Sequence, residues 1–139
     1  MPAGTNREET IAFSEAEFGP WLAGSSILVV DDEPGIRNFL VKTLGTRCKS
    51  IEVAADTSEA SRKLDEQHFD VVILDNVMPG KSGLEWLAEQ RAIGFFADVI
   101  LMTAYADLDT AIAALRIGVV DFVIKPFRSN QLLNAIARC

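Results

Sequence analysis

Five polar residues of this 139-residue chain each follow a short apolar run: Asp31, Asp32, Asp75, Thr103 and Lys125. Such runs are typical of buried β-strands. Because ligands collect at the carboxyl ends of parallel strands, we expect these side chains to meet at one edge of a sheet. Asp75 follows four consecutive apolar residues and precedes a Pro-Gly break, which makes it the expected chemical centre.

The residue types indicate the chemistry. Three neighbouring carboxylates repel one another and raise each other's pKa unless a cation joins them. Because the expected ligands are all oxygens, they favour Mg²⁺ or Mn²⁺ over Zn²⁺. A lysine and a threonine hydroxyl add a positive charge and a hydrogen-bond donor for phosphoryl oxygens. Together these groups suit phosphoryl transfer to a carboxylate.

The elements that must position these residues alternate regularly. Five strands are predicted, at residues 27–30, 50–54, 70–75, 98–103 and 121–125, and a helix is predicted after each. The pattern predicts an α/β fold, a doubly wound (βα)5 parallel sheet of flavodoxin-like type with strand order 2-1-3-4-5. Asp31, Asp32 and Asp75 would meet at its switch point, between strands 1 and 3.

Finer features of the helices follow from local signals. Thr57 and Ser129 are predicted to cap the second and fifth helices, and Asp56 is predicted to be a solvated loop residue. Ile112 and Leu115 are predicted to face the core from the fourth helix.

Residues 1–24 differ from the rest and are predicted to form an N-terminal extension, either helical or disordered, ahead of one domain at residues 25–139. The Gly19-Pro20 pair is expected to stop a helix. Phe18, Trp21 and Leu22 then need a surface to cover, on this domain or on a second copy.

Composition narrows the class of protein. The 13 Lys and Arg residues against 20 Asp and Glu residues give a net charge of −7, which argues against direct nucleic-acid binding. Two cysteines and one histidine form neither a disulfide framework nor a His-rich metal site. With no apolar run long enough to span a membrane and no signal-peptide pattern, we expect a cytoplasmic protein.

The motifs resemble those of a known family. The sequence is similar to the receiver domain of two-component response regulators over about residues 26–137. The resemblance is carried by Asp31-Asp32, Ile73-Leu74-Asp75, Met78-Pro79-Gly80, Thr103-Ala104 and Lys125-Pro126-Phe127. It is greatest to receivers of nitrogen-regulation transcriptional regulators, followed by two-domain regulators with a helix-turn-helix output.

The resemblance implies a role for each site residue. Asp75 would accept a phosphoryl group from a sensor histidine kinase. Mg²⁺ or Mn²⁺ would be held directly by Asp32, Asp75 and the backbone carbonyl of Val77, and by Asp31 through a bound water. Thr103 and Lys125 would contact the phosphoryl oxygens.

The resemblance also implies a switch. Thr103 would move toward the phosphoryl group and Phe122 would rotate inward, changing the face formed by the fourth helix, the fifth strand and the fifth helix. The Lys125-Pro126 bond would be cis. Phe122 stands where the family often has tyrosine, so a hydroxyl partner is absent. Val77 and Tyr105 occupy positions where the family tunes the phosphoryl lifetime.

The expected protein is a phosphoacceptor that assists its own phosphorylation and dephosphorylation, rather than an enzyme in the ordinary sense. Its output, transcription in our first interpretation, would belong to a domain missing from this chain, which stops where the fifth helix would end. A homodimer would form through the switch face or the N-terminal extension. The alternative is a stand-alone or degenerate receiver that acts as a docking module.

Two other classes fit less well. An aspartate-based phosphatase normally has a DxDxT motif after the first strand, and the sequence Asp31-Asp32-Glu33-Pro34 lacks that spacing. A flavin-binding module needs a Ser/Thr-rich phosphate loop at the same point, where this chain has three acids.

Overall fold

A five-stranded parallel sheet organises the part of the chain that the computed structural model describes, residues 19–104 and 107–139. Its order is β2-β1-β3-β4-β5, as the sequence predicts. The strands are β1 Ser26–Val30, β2 Ser50–Ala54, β3 Val71–Asp75, β4 Asp98–Thr103 and β5 Asp121–Ile124. β1 and β3 are buried along their whole length, which is why both read as continuous apolar runs.

Helices cover both faces of the sheet. They are α1 Pro34–Leu44, α2 Thr57–Glu66, α3 Gly83–Ala92, α4 Leu108–Ile117, α5 Ser129–Ala137 and a short leading helix, Gly19–Ala23. The leading helix, α1 and α5 share one apolar cluster with the sheet, and α2, α3 and α4 share the other. None of the described helices has the length and apolar character needed to cross a bilayer.

The leading helix lies where the sequence predicts the end of a helix. It begins at Gly19, so the Gly19-Pro20 pair starts a helix, while the helix that the pair is predicted to stop lies outside the described residues. Proline is tolerated in a first helical turn because the N–H that it lacks would have no partner there. Leu22 is buried in the cluster shared with α1 and α5. Phe18 and the rest of the predicted extension, residues 1–18, lie outside the described residues, so the boundary at residue 24 stays a prediction.

Two predicted helix caps are displaced by one residue. Asp56, predicted to be a solvated loop residue, is the N-cap of α2, and its carboxylate accepts a hydrogen bond from the Glu59 amide at 2.8 Å. Thr57 is therefore the first helical residue. Ser129 likewise lies inside α5, whose N-cap is Arg128. In each case the extended backbone belongs to the residue before the one predicted.

The orientation of α4 also differs from the prediction. Its buried residue is the small Ala114, whereas Ile112 is 38% and Leu115 71% exposed. Leu108, seven residues before Leu115, is 73% exposed. Residues seven apart lie on the same side of a helix, so α4 presents an apolar stripe to solvent. The helix ends at Ile117 and is capped by Gly118, whose positive φ of 85° suits glycine.

Candidate functional site

The pairing of β1 with β3 brings the predicted carboxylates together. Val30 pairs with Leu74, so Asp31 and Asp75 follow at the same level of the sheet. Asp31 is fully buried and Asp75 is 2% exposed, while Asp32 is exposed. One carboxylate oxygen from each of these three residues lies within 4.8 Å of the other two. The switch point therefore carries the acidic cluster expected from the sequence.

Asp31 is held by its own loop. Its Oδ1 accepts a hydrogen bond from the Glu33 amide at 2.9 Å, and its backbone carbonyl accepts one from Arg37 Nη1 at 2.8 Å. Its Oδ2 is buried and, within the described part of the chain, has no hydrogen-bond partner. Buried polar oxygens normally have a partner, so this atom is suited to face a cation.

Lys125 provides the positive charge of the site. Its Nζ lies 2.8 Å from Asp31 Oδ2, 3.2 Å from Glu33 Oε1 and 3.4 Å from Asp75 Oδ1. The contact with Asp31 is an ion pair without hydrogen-bond geometry. Burial alone lowers the pKa of Lys125, but the three carboxylates outweigh burial and raise the pKa. Lys125 therefore stays charged and links three acids.

The loop after β5 has the predicted backbone geometry. The Lys125 amide donates to the Thr103 carbonyl at 2.9 Å, which continues the pairing of β4 with β5. The Lys125-Pro126 bond is cis, as the resemblance implies.

The remaining predicted residues flank the acidic cluster. Thr103 ends β4 and is buried. Val77 donates its amide to Asp75 Oδ1 at 3.3 Å, and its side chain is 59% exposed. Phe122 is half-buried on β5, against the cluster shared with α2, α3 and α4. Tyr105 lies outside the described residues.

Asp75 has a perturbed carboxyl group. Burial, followed by the charge of Asp31, raises its pKa from 3.8 to about 6. Lys125 and the Val77 amide act in the opposite direction, but they are smaller effects. Perturbed pKa values of this kind cluster at functional sites. Above about pH 6 Asp75 is ionised and available as a nucleophile.

Asn76 ties the end of β3 to the start of α3. Its backbone carbonyl accepts from the Gly83 amide at 3.0 Å, and its side-chain oxygen accepts from the Leu84 amide at 3.1 Å. These amides are among the donors that a helix start leaves without partners. A Cβ on Gly83 would lie 2.3 Å from the Asp75 carbonyl oxygen, so α3 approaches the end of β3 as closely as glycine allows.

Sequence reasoning assigned no role to Glu33, Arg37 or Asn76. The available signal was proximity in sequence, because Glu33 follows the Asp pair and Asn76 follows Asp75. Arg37 lies one helical turn after Glu33 and carried no separate signal.

The donor set fits a small divalent cation. Asp31, Asp32 and Asp75 offer only carboxylate oxygens as ligands, and one oxygen of each lies within 4.8 Å of the other two. Mg²⁺ and Mn²⁺ prefer such ligands.

Comparison with known proteins assigns the class. The family model described as the response regulator receiver domain matches residues 27–137, four fifths of the chain. The chain therefore belongs to the response regulator receiver domain family, whose members are phosphoacceptors of two-component systems.

Characterised relatives are longer than this chain. The chain is 40% identical over 112 residues to the regulatory protein AtoC of Escherichia coli. This match covers 81% of this chain and 24% of AtoC. It is 37% identical over 116 residues to the transcriptional regulatory protein MalR of Bacillus subtilis, covering 81% of this chain and 48% of MalR. The chain thus spans about a quarter of one relative and about half of the other.

Solved structures share the fold. Chemotaxis protein CheY4 of Vibrio cholerae superposes with a TM-score of 0.76 at 30% identity, covering 84% of this chain and 98% of CheY4. Response regulator protein TrrA of Thermotoga maritima, solved in complex with Mg²⁺ and BeF, has a TM-score of 0.71 at 36% identity, covering 82% of this chain and 97% of TrrA.

Proposed function

We propose that this domain accepts a phosphoryl group on Asp75 from a sensor histidine kinase and passes the change to an output through the face formed by α4, β5 and α5. The single observation that carries the proposal is the convergence of three carboxylates and Lys125 at the switch point, with acidic oxygens within 4.8 Å of one another.

Asp75 is the proposed nucleophile. Its Oδ1 contacts the Val77 amide and Lys125 Nζ, which leaves Oδ2 for the new bond. Oδ2 attacks the phosphorus of the kinase phosphohistidine as the P–N bond breaks. The electron pair of that bond stays on the imidazole nitrogen, which takes up a proton. Because the pKa of Asp75 is about 6, its carboxyl group is mostly ionised at pH 7.5.

Asp32, Asp75 and the Val77 carbonyl would hold Mg²⁺ or Mn²⁺ directly, and Asp31 would hold it through a water. When bound, such an ion supplies positive charge that offsets the repulsion between the carboxylates and polarises phosphoryl oxygens. The Lys125 ammonium and the Thr103 hydroxyl donate hydrogen bonds to phosphoryl oxygens. The same groups would assist hydrolysis of the acyl phosphate, by which the domain returns to its resting state.

The proposed switch starts with the extra charge, because an acyl phosphate at Asp75 attracts the Thr103 hydroxyl. Movement of Thr103 makes room for Phe122, which is half-buried on β5. Coupling of about 1–3 kcal/mol is typical of such switches and shifts the population between two forms.

The face formed by α4, β5 and α5 has the character of an interface. Leu108 and Leu115 on α4 and Ile124 on β5 are exposed, and exposed apolar groups in one region mark contact sites. Transcription control through an output domain, in the manner of nitrogen-regulation regulators, is the proposed use of this face, and a homodimer through it is the proposed active form. The size difference from AtoC and MalR supports an output domain elsewhere in a longer protein.

The test is phosphorylation by a small acyl-phosphate donor with Mg²⁺, followed by intact-protein mass spectrometry. The wild-type protein is expected to gain one phosphoryl group. Hydroxylamine is expected to release this group, because it cleaves acyl phosphates and leaves phosphoesters intact. Asp75→Asn is expected to gain none. Asp65→Asn, an exposed carboxylate on α2, is the matched control and is expected to label normally. Full, hydroxylamine-resistant labelling of Asp75→Asn contradicts the proposal.

A further inference from the structure

The Lys125 ammonium lies against three carboxylates, and it donates a hydrogen bond to one of them, Glu33. Asp31, Glu33 and Asp75 lie 2.8, 3.2 and 3.4 Å from Nζ. An ammonium group has three donors and no acceptor. A phosphoryl oxygen that binds Lys125 therefore competes with these carboxylates for the ammonium donors, and with Glu33 for a hydrogen bond that is already made.

Glu33 is the partner that is easiest to displace. Its side chain is 61% exposed, whereas the side chains of Asp31 and Asp75 are 0% and 3% exposed. A buried carboxylate that loses its cation is left charged and without water, which strongly destabilises the folded protein. An exposed carboxylate is hydrated again when it loses its cation, and exposed ion pairs contribute little to stability. The released carboxylate would be that of Glu33.

We infer that Glu33 competes with the phosphoryl group for Lys125, so that it acts as a positioning residue that weakens retention of the group on Asp75. This inference rests on the proposed function. Lys125 Nζ contacts the exposed Glu33 carboxylate and the buried Asp31 and Asp75 carboxylates at the same time. A second effect has the same direction, because the Glu33 charge repels an incoming anion.

The side chain of Glu33 is separable from the structural role of its backbone. The Glu33 amide holds Asp31 Oδ1, and its carbonyl accepts from the Arg37 amide at 3.2 Å in the first turn of α1. Replacement of the carboxylate leaves both bonds in place. Glu33→Gln keeps the length of the side chain and removes its charge.

The experiment measures the dissociation constant of beryllofluoride, a phosphoryl analogue, at saturating Mg²⁺ by isothermal titration calorimetry. Glu33→Gln is expected to bind about twofold to fivefold more tightly than wild type, the range that corresponds to one exposed ion pair. Asp65→Asn removes the same charge near the end of α2 and is expected to bind as wild type does. The thermal midpoint of Glu33→Gln without beryllofluoride is expected to match that of wild type.

Glu33→Asp separates the contact from the charge. The shorter side chain keeps its negative charge but is withdrawn from Lys125, so competition through contact predicts tighter binding, as for Glu33→Gln. Affinity of Glu33→Asp equal to that of wild type would overturn the contact mechanism. Unchanged or weaker binding by Glu33→Gln would overturn the inference as a whole.

Asp75→Asn distinguishes failure of the inference from failure of the proposed function. Suppose that wild type binds beryllofluoride and that Asp75→Asn does not. If Glu33→Gln then binds no more tightly than wild type, only the inference fails. If wild type and Asp75→Asn bind equally, or neither binds, the proposed function fails and the inference fails with it.

Discussion

Asp31 and Asp75 place two buried carboxylates side by side at the ends of β1 and β3, with oxygens within 4.8 Å of each other. Burial and the charge of Asp31 raise the pKa of Asp75 to about 6. An unfolded Asp75 would lose its proton near pH 3.8. Between these values the folded state binds more protons than the unfolded state, so the contribution of Asp75 to stability falls as the pH rises through this window.

The first prediction concerns the metal-free protein. A shift of about 2 pKa units corresponds to about 3 kcal/mol, present in full as a penalty above about pH 6. Asp75→Asn removes this penalty and is expected to raise the free energy of unfolding by about 1–3 kcal/mol at pH 7.5. The gain is expected to shrink as the pH falls through this window and to vanish below about pH 3, where Asp75 is protonated in both states. Urea unfolding with EDTA at the two pH values measures it, and a gain independent of pH contradicts the assignment.

The second prediction concerns the metal. Mg²⁺ at about 100 times its dissociation constant is expected to add about 2.7 kcal/mol to the free energy of unfolding of wild type. Asp32 is exposed, so Asp32→Ala is expected to fold normally and to lose most of this increment. Thermal unfolding with Mg²⁺ and with EDTA measures the difference. Asp65→Asn is the control, and full Mg²⁺ stabilisation of Asp32→Ala would exclude Asp32 as a ligand.

The third prediction concerns the support beneath Asp75. A Cβ on Gly83 would meet the Asp75 carbonyl oxygen at 2.3 Å and the Asn76 Cα at 3.1 Å. Gly83→Ala is therefore expected to lower the free energy of unfolding by about 1–3 kcal/mol, as overpacking does, and to reduce phosphorylation. Gly35→Ala in the first turn of α1 is the matched control, since nothing lies within 4 Å of its added methyl. Equal stability of the two variants would show that α3 has room to move.

The fourth prediction concerns the apolar stripe on α4. Leu115 is 71% exposed, so Leu115→Gln is expected to change the free energy of unfolding by less than about 0.5 kcal/mol. If this stripe is the dimer surface, the same change weakens association of the beryllofluoride-loaded protein by at least tenfold. Sedimentation equilibrium of wild type and variant measures this, with exposed Leu108→Gln as the second member of the pair. Undiminished association of both variants places the dimer surface elsewhere.

The sheet and its acidic cluster were predictable because they depend on strong, local patterns. Continuous apolar runs identify buried parallel strands, and the residue after each run lies at the carboxyl edge. Asp31, Asp75 and Lys125 are brought together for this reason alone.

The errors arise where neighbours in space decide the outcome. Ile112 and Leu115 look like core residues, but Ala114 is the residue that α4 buries. The helix is apolar on more than one side, so its sequence does not indicate which side faces the sheet. Glu33 was overlooked because its partner, Lys125, lies 92 residues away.

The most direct test of the account is the position of the phosphoryl group. The protein is treated with an acyl-phosphate donor and Mg²⁺, the acyl phosphate is reduced with borohydride, and the peptides are mapped by tandem mass spectrometry. The account predicts conversion of Asp75 to homoserine and no conversion of Asp31 or Asp32. Conversion at Asp32, or a stable phosphate on another side chain with Asp75 intact, would contradict it.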